Sequence, residues 1–189
     1  GENQFRWNEA NSKMLSSRNQ SNFETAAQYY RKLIIDGVYN GPLFYNYGIA
    51  LLKSGAYEEA FTAFLRAERY LGSNDDIRQN LVIASLGKNN EQYSLPWYRT
   101  LFFWHYGLSA SVRMTIAALS FSIAWLAVAL WILRITWLPR ILFFPSIIVL
   151  FLFMPSVGTT LYLENRDQRI VLSYDTKMAE ITHLKGRTI

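Results

Sequence analysis

The side chains able to do chemistry are few in this chain, and their spacing does not gather them. Only two histidines occur in 189 residues, His105 within an aromatic run and His183 near the end. Neither stands at metal-ligand spacing from carboxylates. With no cysteine, a disulfide framework, a thiolate nucleophile and a Cys-ligated zinc site are all excluded. No phosphate loop, nucleophile elbow or Gly-rich dinucleotide motif is present. The acids Glu58-Glu59 and Asp75-Asp76 are sequence neighbours, and neighbours on a helix point about 100° apart. They suit helix starts and solvated faces better than paired acid/base work. The expectation is therefore a binding protein, not an enzyme, with no catalytic residue, no metal and no cofactor.

Charge is distributed in three blocks. Residues 1–95 carry ten Lys/Arg and ten Asp/Glu, residues 96–163 carry four Arg and no acid, and residues 164–189 carry five bases and four acids. The surplus of +5 thus gathers around apolar stretches instead of on a solvated face. That pattern argues against a nucleic-acid partner and for a lipid bilayer.

Hydropathy sets the second half. Met114 to Leu133 is a charge-free run of 20 residues between Arg113 and Arg134, and at about 1.5 Å per residue it reaches roughly the 30 Å of a hydrocarbon core. A second uncharged run, Ile141 to Leu163, follows Arg140. The pair reads as a transmembrane hairpin, 114–133 and 141–163. Pro145, Pro155 and Gly158 are expected to bend the second span, and the small residues Ser156, Gly158, Thr159 and Thr160 beside Pro155 to allow close approach of a neighbouring helix.

Ahead of the hairpin, residues 93–113 crowd Trp97, Tyr98, Phe102, Phe103, Trp104 and Tyr106 into ten positions. Trp97, Leu101, Trp104 and Leu108 share a face at helical spacing, which predicts one interfacial helix. Trp97, Tyr98, Trp104, Arg113, Arg134 and Arg140 are the expected membrane-interface residues. Two Arg in the seven-residue turn 134–140 mildly favour a cytoplasmic turn with both ends of the hairpin outside. The chain opens on Gly1 without Met, as removal of a targeting segment or an expression tag would leave it.

The first half is polar and repetitive. Gly41 to Asn74 spans 34 residues, the tetratricopeptide (TPR) period. Phe44, Tyr47-Gly48 and Leu51 hold the first helix's core positions, and Ala60, Phe64 and Ala67 those of the second. Small Gly48 and Ala60 suit a close helix crossing, with Phe44, Leu51 and Phe64 filling the space beside them. Gly55 suits the left-handed end of the first helix, and Glu58-Glu59 the positive end of the next. Thirty-four residues earlier, Phe23, Ala26 and Tyr30 echo Tyr57, Ala60 and Phe64, giving a degenerate repeat over 7–40. Thirty-four residues later, Asp75-Asp76 are expected to cap a last helix within 75–87. An array of this kind lines its concave face with the first helix of each pair, which nominates Tyr45, Ile49, Leu52, Lys53, Gln79 and Ile83 as partner-binding residues.

The order of parts is more specific than any one of them. A TPR segment ending in Arg66-Ala67-Glu68-Arg69, a capping helix with Asp76-Ile77-Arg78-Gln79-Asn80-Leu81, an aromatic stretch and a two-span hairpin together resemble the BatE family, TPR-containing membrane proteins of the Bat (Bacteroides aerotolerance) operon. The resemblance covers roughly residues 20–170. It implies an all-α protein of the bacterial inner membrane with its TPR domain (1–92) and C-terminal tail (164–189) in the periplasm. It also implies partners: von Willebrand A domain membrane proteins (BatA/BatB-like), and indirectly a MoxR-type AAA+ ATPase. Many members end in an SH3-like domain, and Arg169 to Tyr174 has the composition of a first strand, although 26 residues after Leu163 are too few for a barrel. The function expected is a membrane-anchored adaptor. The alternative is a structural subunit of a secretion or envelope-assembly machine, its hairpin packed into a transmembrane core.

Overall fold

The computed structural model of the chain describes residues 1–16, 19–89, 93–94, 96–133 and 137–185. Among these residues every regular element is an α-helix: α1 (Glu2–Leu15), α2 (Gln20–Ile35), α3 (Gly41–Ser54), α4 (Tyr57–Leu71), α5 (Asp75–Asn89), α6 (Tyr98–Leu101), α7 (Phe103–Gly107), α8 (Ala110–Ile132) and α9 (Leu138–Lys185). The chain divides into two compact units, one of Gly1–Glu68, Asn74–Ser94 and Leu163–Ile189, the other of Arg69–Ser73 and Leu95–Tyr162.

In the first unit α1 packs on α2, α2 on α3, and α3 on α5. The core is formed by the residues that the 34-residue offset relates. Ala26 and Ala60 are fully buried, as are Tyr30 and Phe64 one helical turn further on. Helix punctuation repeats as well. The side chain of Asn40 accepts from Leu43 N–H at 2.8 Å, and that of Asn74 from Ile77 N–H at 2.8 Å. The two caps stand 34 residues apart, so the cap of α5 is Asn74, and Asp75 and Asp76 lie inside its first turn beside the positive end of the helix.

Gly55 closes α3 at φ 86°, where a side chain would be strained. Its N–H reaches Leu52 O and the next N–H, of Ala56, reaches Leu51 O, so two end carbonyls are satisfied.

The tail departs from expectation. Residues 169–174 are helical, not a strand, because α9 runs on to Lys185. No Pro or Gly interrupts the sequence between Gly158 and Gly186, and the helix gains a tertiary partner where it enters the first unit. Asp167, buried, accepts a contact from Arg66 of α4 at 3.3 Å, while the same guanidinium lies 5.7 Å from the centroid of the Phe44 ring. The expected first strand of an SH3-like barrel is thus replaced by helix.

The second unit holds the hairpin. Both α8 and α9 (within Leu138–Arg169) are long and apolar enough to cross a membrane. Their polarity is inverted relative to a water-soluble helix pair. Small or polar side chains, Ser120, Ala124 and Ala127 on α8 and Ser146, Ser156 and Thr160 on α9, are buried, whereas Phe121, Trp125, Ile148, Phe151 and Met154 face outward. α9 continues through Pro145 and Pro155 without interruption. Before the hairpin, the expected single interfacial helix is two short ones. Phe102 breaks the run at φ −101°, ψ 42°, and Leu108 is extended, so Trp97, Leu101, Trp104 and Leu108 do not share one helix.

Candidate functional site

The first candidate surface lies on α3 and α5. Tyr45, Ile49 and Leu52 are half-buried, and Lys53, Gln79 and Ile83 are exposed. Asn80 Nδ2 donates to the Tyr45 hydroxyl at 3.3 Å, which ties α5 to α3, and the Tyr45 ring meets Phe64 edge-on at 6.0 Å. Lys53 Nζ lies 5.0 Å from the centroid of the Phe23 ring on α2, a cation–π contact that orients its ammonium along the surface. Gln79 and Ile83 line a shallow open groove with Asp75, Arg78 and Val82. The expected residues therefore fall into an α3 group, fixed by packing, and an α5 group on an open groove, with the Tyr45–Asn80 contact between them.

Close helix packing creates this surface. A Cβ built on Gly48 would stand 2.7 Å from Cε1 and 2.9 Å from Cδ1 of Phe64, whose ring is fully buried. Only glycine lets α3 and α4 approach this closely, and that approach sets the phase of α3.

The second candidate site is a polar node in the hairpin unit that sequence reasoning missed. Arg113, expected at the headgroup flank of the first span, is instead 1% exposed, because α8 begins at Ala110 and carries it inside the helix. Its Nη1 donates to the Ser156 carbonyl (3.1 Å) and hydroxyl (2.9 Å) on α9, and lies 3.0 Å from His105 Nδ1; its Nη2 donates to the Arg69 carbonyl at 3.0 Å. Each acceptor belongs to a residue of the hairpin unit. A guanidinium can only donate, so His105 Nδ1 is an acceptor and the ring proton of the neutral imidazole sits on Nε2. The Ser156 hydroxyl lies 2.7 Å from the same Nδ1. Burial pushes the His105 pKa down, and the charges of Arg113, Arg69 and Arg99 push it the same way.

Among the other expected packing residues, Ser156 is buried at this node and Thr160, one turn on, is buried too. Pro155, Gly158 and Thr159 face outward, and a Cβ on Gly158 would meet nothing within 4 Å. Of the expected interface residues, Trp97 is 78% exposed, Tyr98 and Arg140 are exposed, and Trp104 is half-buried; Arg134 lies outside the described residues.

Beside the node runs a groove of about 350 Å³ lined by aromatic residues of α7 and its flank and by α9 from Phe151 to Thr159. No arrangement of three or more His, Asp or Glu that could hold a metal occurs among the described residues. No family model, no curated protein and no solved structure matches the chain.

Proposed function

We propose that this protein is a membrane-anchored, TPR-type adaptor that holds partner proteins at a bilayer. The observation that carries the reading is the repetition of one helix-pair design, Ala26 with Tyr30 and Ala60 with Phe64, each with an Asn-capped helix to follow, in a chain that also carries two bilayer-length apolar helices. Stacked helix pairs present side chains over a broad face and suit an extended peptide or a partner helix. The inverted polarity of α8 and α9 supports a lipid environment: outward Phe, Trp, Ile and Met would cost free energy in water, while inward Ser and Thr have hydrogen-bonding partners.

The resemblance of residues 20–170 to the BatE family supplies the partner class, von Willebrand A domain membrane proteins, with a MoxR-type ATPase acting on the assembly and not on this chain. On this reading the helical repeats and tail lie in the periplasm of a bacterial inner-membrane protein. Catalysis, metal and nucleotide all belong to the partners.

Site-specific photo-crosslinking tests this. A photoreactive residue at Ile49 or Ile83, the exposed or half-buried ends of the proposed face, should capture a von Willebrand A domain protein in native membranes. The same probe at Phe5, exposed on α1, should not. Equal labelling from all three sites would remove the face from the account.

A further inference from the structure

Past the apolar run that ends at Leu163, α9 turns one face towards the helical repeats of its own unit. Asp167 is buried and Leu163, Glu164 and Gln168 are half-buried, whereas Asn165, Arg166 and Arg169 are exposed. Positions i, i+1, i+4 and i+5 form one stripe of a helix, so both acids lie on the inner stripe and both bases on the outer one. The covered stripe runs from Leu163 to Gln168, less than two turns, a length that a second helix can copy.

The surface that receives these acids belongs to the repeats. Arg66 Nε on α4 lies 3.3 Å from Asp167 Oδ2, and the same guanidinium is 5.7 Å from the centroid of the Phe44 ring, which is buried in the core. The ring thus holds the cation in place for a carboxylate. Tyr39, between α2 and α3, meets that Phe44 ring at 5.9 Å. Burial pushes the Tyr39 pKa up; the charge of Arg66 opposes this, and those of Asp167 and Glu164 add to it, so the guanidinium and both acids are gathered about one phenol. None of these repeat residues belongs to the face formed by Tyr45, Ile49, Leu52, Lys53, Gln79 and Ile83.

We propose that Tyr39, Phe44 and Arg66 form a helix-binding site that α9 fills in cis, and that its occupant in trans is a partner's helix with two carboxylates three positions apart beside an aliphatic residue, as Leu163, Glu164 and Asp167 present them. The cis segment is tethered, so a trans helix meets only the fraction of molecules whose site is open, and its apparent Kd is weakened by that fraction. α9 thereby guards the site against weak ligands. The site deepens the adaptor reading above by naming the chemistry of a partner, and rests on that reading for its natural occupant alone.

The full-length protein in mild detergent is titrated with a fluorescent peptide of residues 163–185, and binding is read by anisotropy. Asp167→Ala, which removes the cis carboxylate, should bind the peptide about tenfold more tightly than wild type, as a site about nine-tenths filled in cis requires. Asn165→Ala, on the exposed stripe, should bind like wild type. Arg66→Glu repels the native acid in cis and should prefer a peptide carrying Asp167→Arg about tenfold over the native peptide, a reversal that can be read even if Asp167→Ala misfolds. Equal affinity of wild type and Asp167→Ala in proteins that elute alike, or an Arg66→Glu protein that still prefers the native peptide, would overturn the proposal. Peptide binding that follows Arg66 in a protein that captures no von Willebrand A domain protein would remove that partner class and leave the site; capture without the peptide response would remove the site alone.

Discussion

Replacing Gly48 by Ala isolates the close approach of α3 and α4. The new methyl would meet the Phe64 ring at 2.7, 2.9 and 3.0 Å, and that ring is fully buried with Tyr45 at its edge, so it has nowhere to retreat. Overpacking of this kind costs about 1–3 kcal/mol, while Ala returns about 1 kcal/mol of helix propensity. The net expectation is a loss of about 1 kcal/mol. In a Phe64→Leu background the ring atoms are gone, and the same Gly48→Ala change should become stabilising by up to about 1 kcal/mol. The coupling between the two sites is then about 2 kcal/mol, within the range for residues in contact. Hydrogen exchange of α3 and α4 amides in the detergent-solubilised protein reads the effect locally, as roughly a fivefold rise in exchange for the single variant and a fall for the second substitution in the Leu background. If Gly48→Ala destabilises equally in both backgrounds, the penalty does not come from Phe64 and the packing argument fails.

Further outcomes follow from the same geometry. Asn40→Ala and Asn74→Ala each remove a side-chain cap and should each cost about 1 kcal/mol, read as faster amide exchange in the first turns of α3 and α5 respectively. Gly72→Ala combines a φ of 79° with a Cβ that would stand 2.7 Å from the carbonyl oxygen of Gly107, and a loss of about 1–3 kcal/mol should show as a lower Tm. The lowered pKa of His105 also sets a sign. The unfolded chain takes up the proton near pH 6.5 while the native imidazole stays neutral to lower pH, so stability is full above about 6.5 and falls as pH drops towards the native pKa. Protonation would turn Nδ1 into a donor facing the donor Arg113. The Tm should therefore fall between pH 7.5 and pH 5, and His105→Asn, which keeps an acceptor near the Nδ1 position, should lose this dependence.

Local signals made part of this fold readable. Ala26, Gly48, Gly55 and Ala60 are small or left-handed for reasons within one or two helices; the 34-residue offset exposes Ala26 and Ala60, and the TPR pattern within residues 41–74 exposes Gly48 and Gly55. Asn74 was legible too, at the same offset from Asn40, but the adjacent acid pair Asp75-Asp76 offers a competing cap. The break at Phe102 carries no Pro or Gly, and the aromatic spacing of residues 97–108 fits one helix as well as two. Residues 169–174 have the composition of a strand, yet the helix entering from Leu163 persists, and the Arg66–Asp167 contact that accompanies it joins residues 101 positions apart. Arg113 was hidden by a rule that holds at most span ends, where a base reaches for headgroups. Its partners Ser156, His105 and Arg69 come from three separate segments, so only the folded hairpin brings them together.

The central claim is that a helical repeat on a membrane hairpin serves as an adaptor. Its most direct test is affinity capture of the tagged protein from native membranes in mild detergent, followed by mass spectrometry of what remains bound in stoichiometric amount. The account predicts von Willebrand A domain membrane proteins, retained when the hairpin is exchanged for an unrelated two-span hairpin. Recovery of the protein alone, or of a complex that the exchange dissociates while the repeats stay folded, would contradict it.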